Sequence, residues 1–315
     1  MERNPLVRVI FQFHPVKDDA NVRRHSYRPQ RTIARPVEVQ GIGFVTGADV
    51  RLRFRPAPPS QGIVFVRTDL RRPVMIPAQI GAVSGTDRRT TLGQPPAQVG
   101  LVEHVLAALA GLRIDNCLVE LNAPEAPGMD GSARAFVEAL CSAGIVLQAA
   151  RRPVWCVDRP VSVAQGRATL TLHPGAENEL KISYLLDYGP GSPVGWQVHT
   201  ATITPENFLN QLAVCRTFLL ESEAAELRRQ GLGARTTPAD LVVFGARGPL
   251  ANRLHFADEP ARHKILDLVG DLALLGHDLR GHVVAYRSGH ALNVELVRTL
   301  CRAMGANCPA LPLAA

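Results

Sequence analysis

Residues 99–145, VGLVEHVLAALAGLRIDNCLVELNAPEAPGMDGSARAFVEALCSAGI, read as a helix, a buried strand, a Pro/Gly-rich loop and a second helix. Leu101, Val105, Leu106 and Leu109 recur at helical spacing and fall on one face, with Gly111 as the stop. NCLVELN (116–122) is an apolar run of strand length, and ARAFVEALCSAGI (133–145) is a helix that again ends at a glycine. Upstream, the period falls to two. PVEVQ (36–40) and ADVRLRFRP (48–56) alternate around the turn GIGFVTG (41–47), and GIVFVRTDL (62–70) and RPVMIPAQI (72–80) add two more strands.

Downstream the same order restarts. QAARRPVW (148–155) has linker character, and the strands VSVAQG (161–166), ATLTLHP (168–174), ELKISYLLDY (179–188) and QVHTATI (197–203) follow it. Then come a helix around AELRRQGL (225–232), the strand LVVFG (241–245) and the strongly periodic helix HKILDLVGDLALLG (263–276). VVAYRSGH (283–290) is a strand running into a turn, and ALNVELVRTLCRAM (291–304) closes the chain as a helix. Strands precede helices in each half, which predicts the α+β class: two domains, each a sheet layered with helices. The division is expected between 149 and 150, giving a basic, flexible extension at 1–30, domain one at 31–149 and domain two at 150–315.

Composition agrees with a globular protein. Of 315 residues, 46% are hydrophobic and 20% charged, enough for two cores. No run of about 18 apolar residues occurs, so no transmembrane helix is expected. Asp18, Asp19 and several arginines interrupt the short apolar stretches at the N-terminus, which leaves no signal-peptide core and predicts a cytoplasmic protein. Five of the seven net positive charges fall within residues 1–35, so the body is close to neutral. With no aromatic RNA-binding motif and no zinc-finger spacing, nucleic acid is not an expected partner. The six cysteines include no C-x-x-C pair; they are expected as reduced, largely buried thiols, not as a metal site.

Chemistry concentrates in a few places. His263 and Asp267, four apart in a helix, project from one face, and Asp271 extends the stripe by a turn. Ile265, Leu266, Leu268, Val269 and Leu272 would bury much of that helix, and polar groups on a buried stripe need partners. A solvated His–Asp contact fits the same spacing, so the pair alone leaves metal binding open. Lys264 stands beside it in a chain whose 35 basic residues include three lysines, Lys17, Lys181 and Lys264. A compact ammonium at that place is a different tool from a guanidinium fork. Glu103–His104 opens the first good helix, and a carboxylate next to a metal-binding histidine is what water activation requires. Ala108 stands where an H-E-x-x-H motif would carry its second histidine, and an ordinary polar patch fits the dipeptide as well. His290, beyond Ser288–Gly289, fits either a general acid projecting into a cleft or an exposed loop residue. The other histidines read as structural or solvated. Together these residues fit a metal-dependent hydrolase, although spacing alone does not bring Glu103–His104 to His263, Lys264 and Asp267.

LVEHVLAALAGLRIDNCLVELNAPEAPGMDGSARAFVEAL (101–140), CRTF (215–218), RHKILDLVGDLALLG (262–276) and YRSGHALN (286–293), in this order, resemble the UDP-3-O-acyl-N-acetylglucosamine deacetylases, zinc amidases of lipid A biosynthesis. The likeness runs from about residue 31 to about 305, and includes the weaker RPAPPSQGIVFVRTDL (55–70). It implies hydrolysis of the N-acetyl amide of a UDP-3-O-acyl-N-acetylglucosamine, with release of acetate, at a site between two α+β domains. It also implies a small inserted sheet within 62–80 and a βαβ insert at 215–250 lining a passage for the acyl chain. Carried over residue by residue, His104, His263 and Asp267 would hold zinc (Zn2+). Glu103 would be the general base and His290 the general acid, oriented by Asp271. Thr217 would help hold the oxyanion, Lys264 would meet the diphosphate, and Phe218 and Tyr188 would lie against glucosamine and uracil. Transient contact with a membrane surface is compatible with such a substrate; the oligomeric state is not readable.

The chain departs from the family pattern in two places. Where the family has G-x-G-L-H-S-G, Gly41–Gly47 carries Val45 and Thr46, and the paired glycines near 233–237 are replaced by Gly233-Ala234-Arg235-Thr236-Thr237. Both put the acyl-chain preference in question more than the reaction. Residues 1–30 match no part of the family. Two histidines and a carboxylate also make the facial triad of non-haem Fe(II) oxygenases, although those ligands come from all-β folds and leave Glu103 without a role. A non-catalytic sugar-nucleotide-binding relative would have lost an acid, a base or a ligand.

Overall fold

The computed structural model describes residues 22–175, 178–238 and 240–305. In the first half the elements are β1 (Val22–Ile33), β2 (Val37–Ile42), β3 (Asp49–Pro56), β4 (Ile63–Arg67) and β5 (Val74–Pro77). The short strands β6 (Val83–Gly85), β7 (Thr91–Gln94) and β8 (Ala97–Val99) lead to helix α1 (Glu103–Gly111), β9 (Cys117–Leu121) and α2 (Arg134–Ala143). Strand β10 (Ile145–Val157) crosses into the second half, where β11 (Val161–Gln165), β12 (Ala168–His173), β13 (Leu180–Asp187) and β14 (Trp196–Thr202) follow. After a helical turn α3 (Pro205–Asn207) come β15 (Phe218–Leu220), α4 (Glu221–Arg229), β16 (Val242–Gly245) and β17 (Gly248–Leu250). Helix α5 (Glu259–Leu272), β18 (Asp278–Leu279), β19 (Gly281–Tyr286) and α6 (His290–Met304) complete the chain.

The α+β expectation holds, and the two halves repeat one topology. The first large sheet has the order β2-β3-β9-β4-β5 and the second β11-β12-β19-β13-β14. In each, the last strand inserts between two strands, antiparallel to one and parallel to the other: β9 between β3 and β4, and β19 between β12 and β13. A helix precedes that strand and a helix follows it, α1 and α2 in the first half, α5 and α6 in the second. In β3 the arginines at 51, 53 and 55 are exposed while Val50, Leu52 and Phe54 are buried, so one face meets the core and the other water.

Helix α1 differs from its reading as an amphipathic helix. Eight of its nine residues are buried, because α1 packs on α2 and on α5, and a helix apolar all round is at home only in such a place. Leu101 precedes the helix with φ of 55° and is not on its face.

Four expectations need correction. Residues 148–155 are not a linker: they lie in β10, paired antiparallel with β1 along its length. Residues 22–30, expected as part of a flexible extension, form most of β1; residues 1–21 lie outside the described residues. Residues 62–80 are no insert, because β4 is apolar on both faces and sits inside the five-stranded sheet. The small separate sheet is β6-β7-β8. Cys301 is disulfide-bonded, whereas Cys117, Cys141, Cys156 and Cys215 are free thiols, Cys141 being exposed. The βαβ expectation at 215–250 does hold, with β15 and β16 parallel and α4 between them.

Where β1, β10 and β18 meet, Arg28 reaches Asp115 at 2.8 Å and Asp278 at 2.5 Å, and Arg152 reaches Asp278 at 2.6 Å. Burial acts to raise the Asp278 carboxyl, but Arg152 and Arg28 outweigh it and hold it down at about 2 against an ordinary 3.8. A carboxylate depressed on folding stabilises the protein above its unfolded pKa and stops doing so as pH falls through the folded one. Asp278→Asn is therefore expected to lower stability at neutral pH by on the order of 2 kcal/mol. Urea midpoints for the two proteins should converge as pH drops from about 4 to about 2; a gap that stays constant would reject the assignment.

Candidate active site

The site forms where α1 crosses α5. Gly270 makes the crossing possible: a Cβ there would lie 2.1 Å from the carbonyl oxygen of Glu103, so only glycine lets the first turn of α1 settle on α5. His104 from α1 then meets His263 and Asp267 from α5, and one ligand atom from each lies within 4.8 Å of the others. Asp267 Oδ1 is 3.3 Å from His263 Nε2 and 3.5 Å from His104 Nε2. Tetrahedral zinc with bonds of about 2.0–2.1 Å separates its ligand atoms by roughly 3.3–3.4 Å.

The donor set fits a metal in a second respect. Asp267 Oδ1 is buried and makes no hydrogen bond among the described residues, an orphan that a cation would satisfy. His263 Nδ1 lies 3.1 Å from the carbonyl oxygen of Cys215, so it carries the proton and leaves the Nε2 lone pair free. Burial pushes the His263 imidazole down to about 4 against the pull of Asp267, which keeps it neutral, the state in which an imidazole can bind a metal. Burial acts in the opposite direction on Asp267 and would raise it, but His263 and Lys264 hold its carboxyl well below the usual range.

Lys264 lies 2.7 Å from Asp267 Oδ2. Burial works against its charge, yet Asp267 more than compensates and raises its pKa. The ammonium thus braces the Asp267 carboxylate while its side chain keeps 19% of its exposure, enough to meet a further anion.

Glu103 and His290 flank the cluster. Glu103 is 2% exposed, and its Oε2 accepts from the Thr90 amide at 3.0 Å. Burial pushes this carboxyl up, opposed by His290 and His104. His290 is no exposed loop residue: it is the first residue of α6 and is buried. Its Nδ1 lies 2.8 Å from Asp271 Oδ2, which directs Nε2 towards Glu103 Oε1 at 3.9 Å and Asp267 Oδ2 at 4.0 Å. Burial acts to lower His290, but Asp271 and then Glu103 lift it to about 9, so it holds its proton at neutral pH.

Of the remaining expected residues, Phe218 packs against this centre, Tyr188 lies beyond Phe218, and Thr217 faces an apolar cavity. Buried Arg216 bonds Glu259 at the start of α5, which anchors the CRTF stretch beside His263. Thr217 donates its amide to Gly131 at 2.7 Å, and its side chain lines an apolar cavity with Phe44, Val45 and Leu241. Phe218 lies 6.4 Å from the His263 ring, and Tyr188, 38% exposed, lies 5.7 Å from Phe218. Thr90 and Asn293 are additions that the sequence reading did not single out. Thr90 Oγ1 donates to Asp271 Oδ1 at 2.6 Å and Asn293 Nδ2 to Oδ2 at 2.8 Å. Asn293 follows His290 by three residues on α6 and was legible on that spacing; Thr90, in a loop, carried no signal.

A family model described as UDP-3-O-acyl N-acetylglycosamine deacetylase matches residues 30–302. The chain is 41% identical over 278 residues to the UDP-3-O-acyl-N-acetylglucosamine deacetylase of Myxococcus xanthus, a match covering 88% of this chain and 87% of that one. The protein of the same name from Thermosynechococcus vestitus is 39% identical, covering 87% of this chain and 94% of its own. That from Chlamydia caviae is also 39% identical, covering 87% and 97%.

Proposed function

Since the chain belongs to the family of UDP-3-O-acyl-N-acetylglucosamine deacetylases, we propose that its site works with zinc and that the residues gathered at the α1–α5 crossing divide the reaction as follows. The enzyme hydrolyses the N-acetyl amide of UDP-3-O-acyl-N-acetylglucosamine in lipid A biosynthesis and releases acetate. The observation that carries the assignment of roles is the convergence of His104, His263 and Asp267 with a buried carboxylate and a protonated imidazole at its edge.

His104, His263 and Asp267 hold the metal. Bound there, zinc supplies Lewis acidity towards the amide carbonyl and lowers the pKa of water. Glu103 takes the proton of the attacking water, and its burial tunes it towards that task. His290 gives its Nε2 proton to the leaving amine, which cannot depart as an anion. Asp271, itself held by Thr90 and Asn293, fixes the His290 tautomer and supports its charge. Thr217 stands by the developing oxyanion. Lys264 meets the diphosphate, Phe218 packs on the glucosamine and Tyr188 on the uracil. The first half of the chain, ending near residue 149, thus brings the base and one ligand, and the second half the rest. We place the reaction in the cytoplasm, with passing contact to a membrane surface. Among the described residues no helix is long and apolar enough to cross a membrane.

The test is elemental analysis of the purified protein together with a deacetylation assay on UDP-3-O-acyl-N-acetylglucosamine. About one zinc per chain and release of acetate are expected. Iron with oxygen-dependent turnover would instead favour the facial-triad oxygenase.

A further inference from the structure

Thr90 is fully buried, and each of its polar groups is used at the site. Its amide donates to Glu103 Oε2 at 3.0 Å, and its carbonyl accepts from the amide of Val102, just ahead of α1, at 3.4 Å. Its Oγ1 donates to Asp271 Oδ1 at 2.6 Å and lies 3.4 Å from His290 Nδ1. Among the described residues no other donor reaches Asp271 Oδ1, because His290 and Asn293 both use Oδ2. Thr90 directly precedes β7, so the small sheet β6-β7-β8 delivers it to the place where α1 crosses α5.

These contacts form a ring. Thr90 bonds Glu103 on one side and Asp271 on the other, and Asp271 bonds His290. The ring stays open between His290 Nε2 and Glu103 Oε1, which lie 3.9 Å apart. That gap separates the group that takes a proton from the group that gives one. Both act on substituents of a single carbon, so a base and an acid that drift apart cannot serve it in turn. Glu103, Asp271 and His290 come from three different helices, α1, α5 and α6, and Thr90 is a residue outside all three that bonds two of them. A buried carboxylate oxygen left without a donor is costly, so loss of the hydroxyl favours a turn of Asp271 away from the geometry that holds His290.

We propose that Thr90 is a positioning residue that keeps base and acid in register: its amide fixes Glu103, and its hydroxyl, through Asp271, fixes His290. The proposal rests on the deacetylase reading above and deepens it, from the roles of the two proton-transfer groups to the residue that sets their separation. The small sheet thereby takes a part in the reaction besides packing.

The experiment uses the zinc-loaded enzyme with UDP-3-O-acyl-N-acetylglucosamine. Thr90→Val removes the hydroxyl, keeps the shape and leaves the amide on Glu103. Its kcat is expected to fall by roughly 10–100-fold, with KM and metal content unchanged. Thr90→Ser keeps the donor and loses a methyl group, and it is expected to retain most of kcat. In an Asp271→Asn background Thr90→Val is expected to lower kcat little further, since the partner of the hydroxyl is already altered. Proton NMR adds a signature that a loss of packing would not give. The His290 Nδ1 proton, assigned by its absence in His290→Ala, is expected to shift in Thr90→Val and to stay in place in Thr90→Ser.

An unchanged kcat in Thr90→Val overturns the proposal. So does a Thr90→Ser as impaired as Thr90→Val, which would mark the side chain as filling only, and so do losses that simply add in the Asp271→Asn background. If Thr90→Val does not fold, Thr90→Cys decides: it is close to serine in shape but donates weakly, so a kcat equal to that of Thr90→Ser overturns the proposal. A wild type inert towards the substrate would overturn the deacetylase reading and the proposal with it, a result distinct from an active wild type with an unaltered Thr90→Val.

Discussion

Glu103→Gln is expected to keep its metal and to lose about 10²–10⁴ in kcat. The carboxylate is the first residue of α1 and is not among the three ligand atoms that converge. Its Oε2 is held by the Thr90 amide and its Oε1 faces His290 Nε2 at 3.9 Å. An amide of the same shape preserves the packing but cannot accept the proton of an attacking water. Metal content by elemental analysis and steady-state deacetylation separate the two properties. Full activity with full metal would sink the assignment of Glu103 as the base.

His263→Ala is expected to do the opposite and lose the metal. His263 Nδ1 is tied to the Cys215 carbonyl, which aims Nε2 at the cluster, and Asp267 Oδ1 lies 3.3 Å away with no hydrogen bond of its own. Alanine leaves one histidine and one carboxylate on two different helices. Losing an outer-sphere support costs 10–100-fold in metal affinity, so losing a ligand is expected to exceed about 100-fold. Dialysis followed by elemental analysis should find far less than one ion per chain, and turnover should fall to background. A stoichiometric ion retained after dialysis would show that the metal is held elsewhere.

Sequence period carried the cofacial pair His263 and Asp267, because four residues in a helix fix a face without help from the rest of the fold. It could not bring Glu103–His104 to them, since that contact depends on a helix crossing between residues far apart in the chain. The resemblance supplied it. The large sheets were legible from alternation in β3 and from the apolar runs of β4 and β9. Strands β1 and β10 escaped because their pairing slips between Arg24 and Ser26 and again between Pro29 and Gln30. Each slip moves the side chains that follow to the other face and destroys the alternation a reader relies on. The three strands of the small sheet have three or four residues each, too few for any period to emerge. The repeated sheet topology left no repeat in the sequence, because the constraint on each position is a pattern of burial and not an identity.

Gly270 takes no part in making or breaking a bond, yet a hydrogen atom in place of a methyl group at that position sets how near α1, with Glu103 and His104, approaches α5, with His263 and Asp267. A library that admits even alanine at 270 pries α1 from α5 before any reacting group has changed. Divergence of this activity is thus bounded at a residue that no inventory of acids, bases and ligands would select.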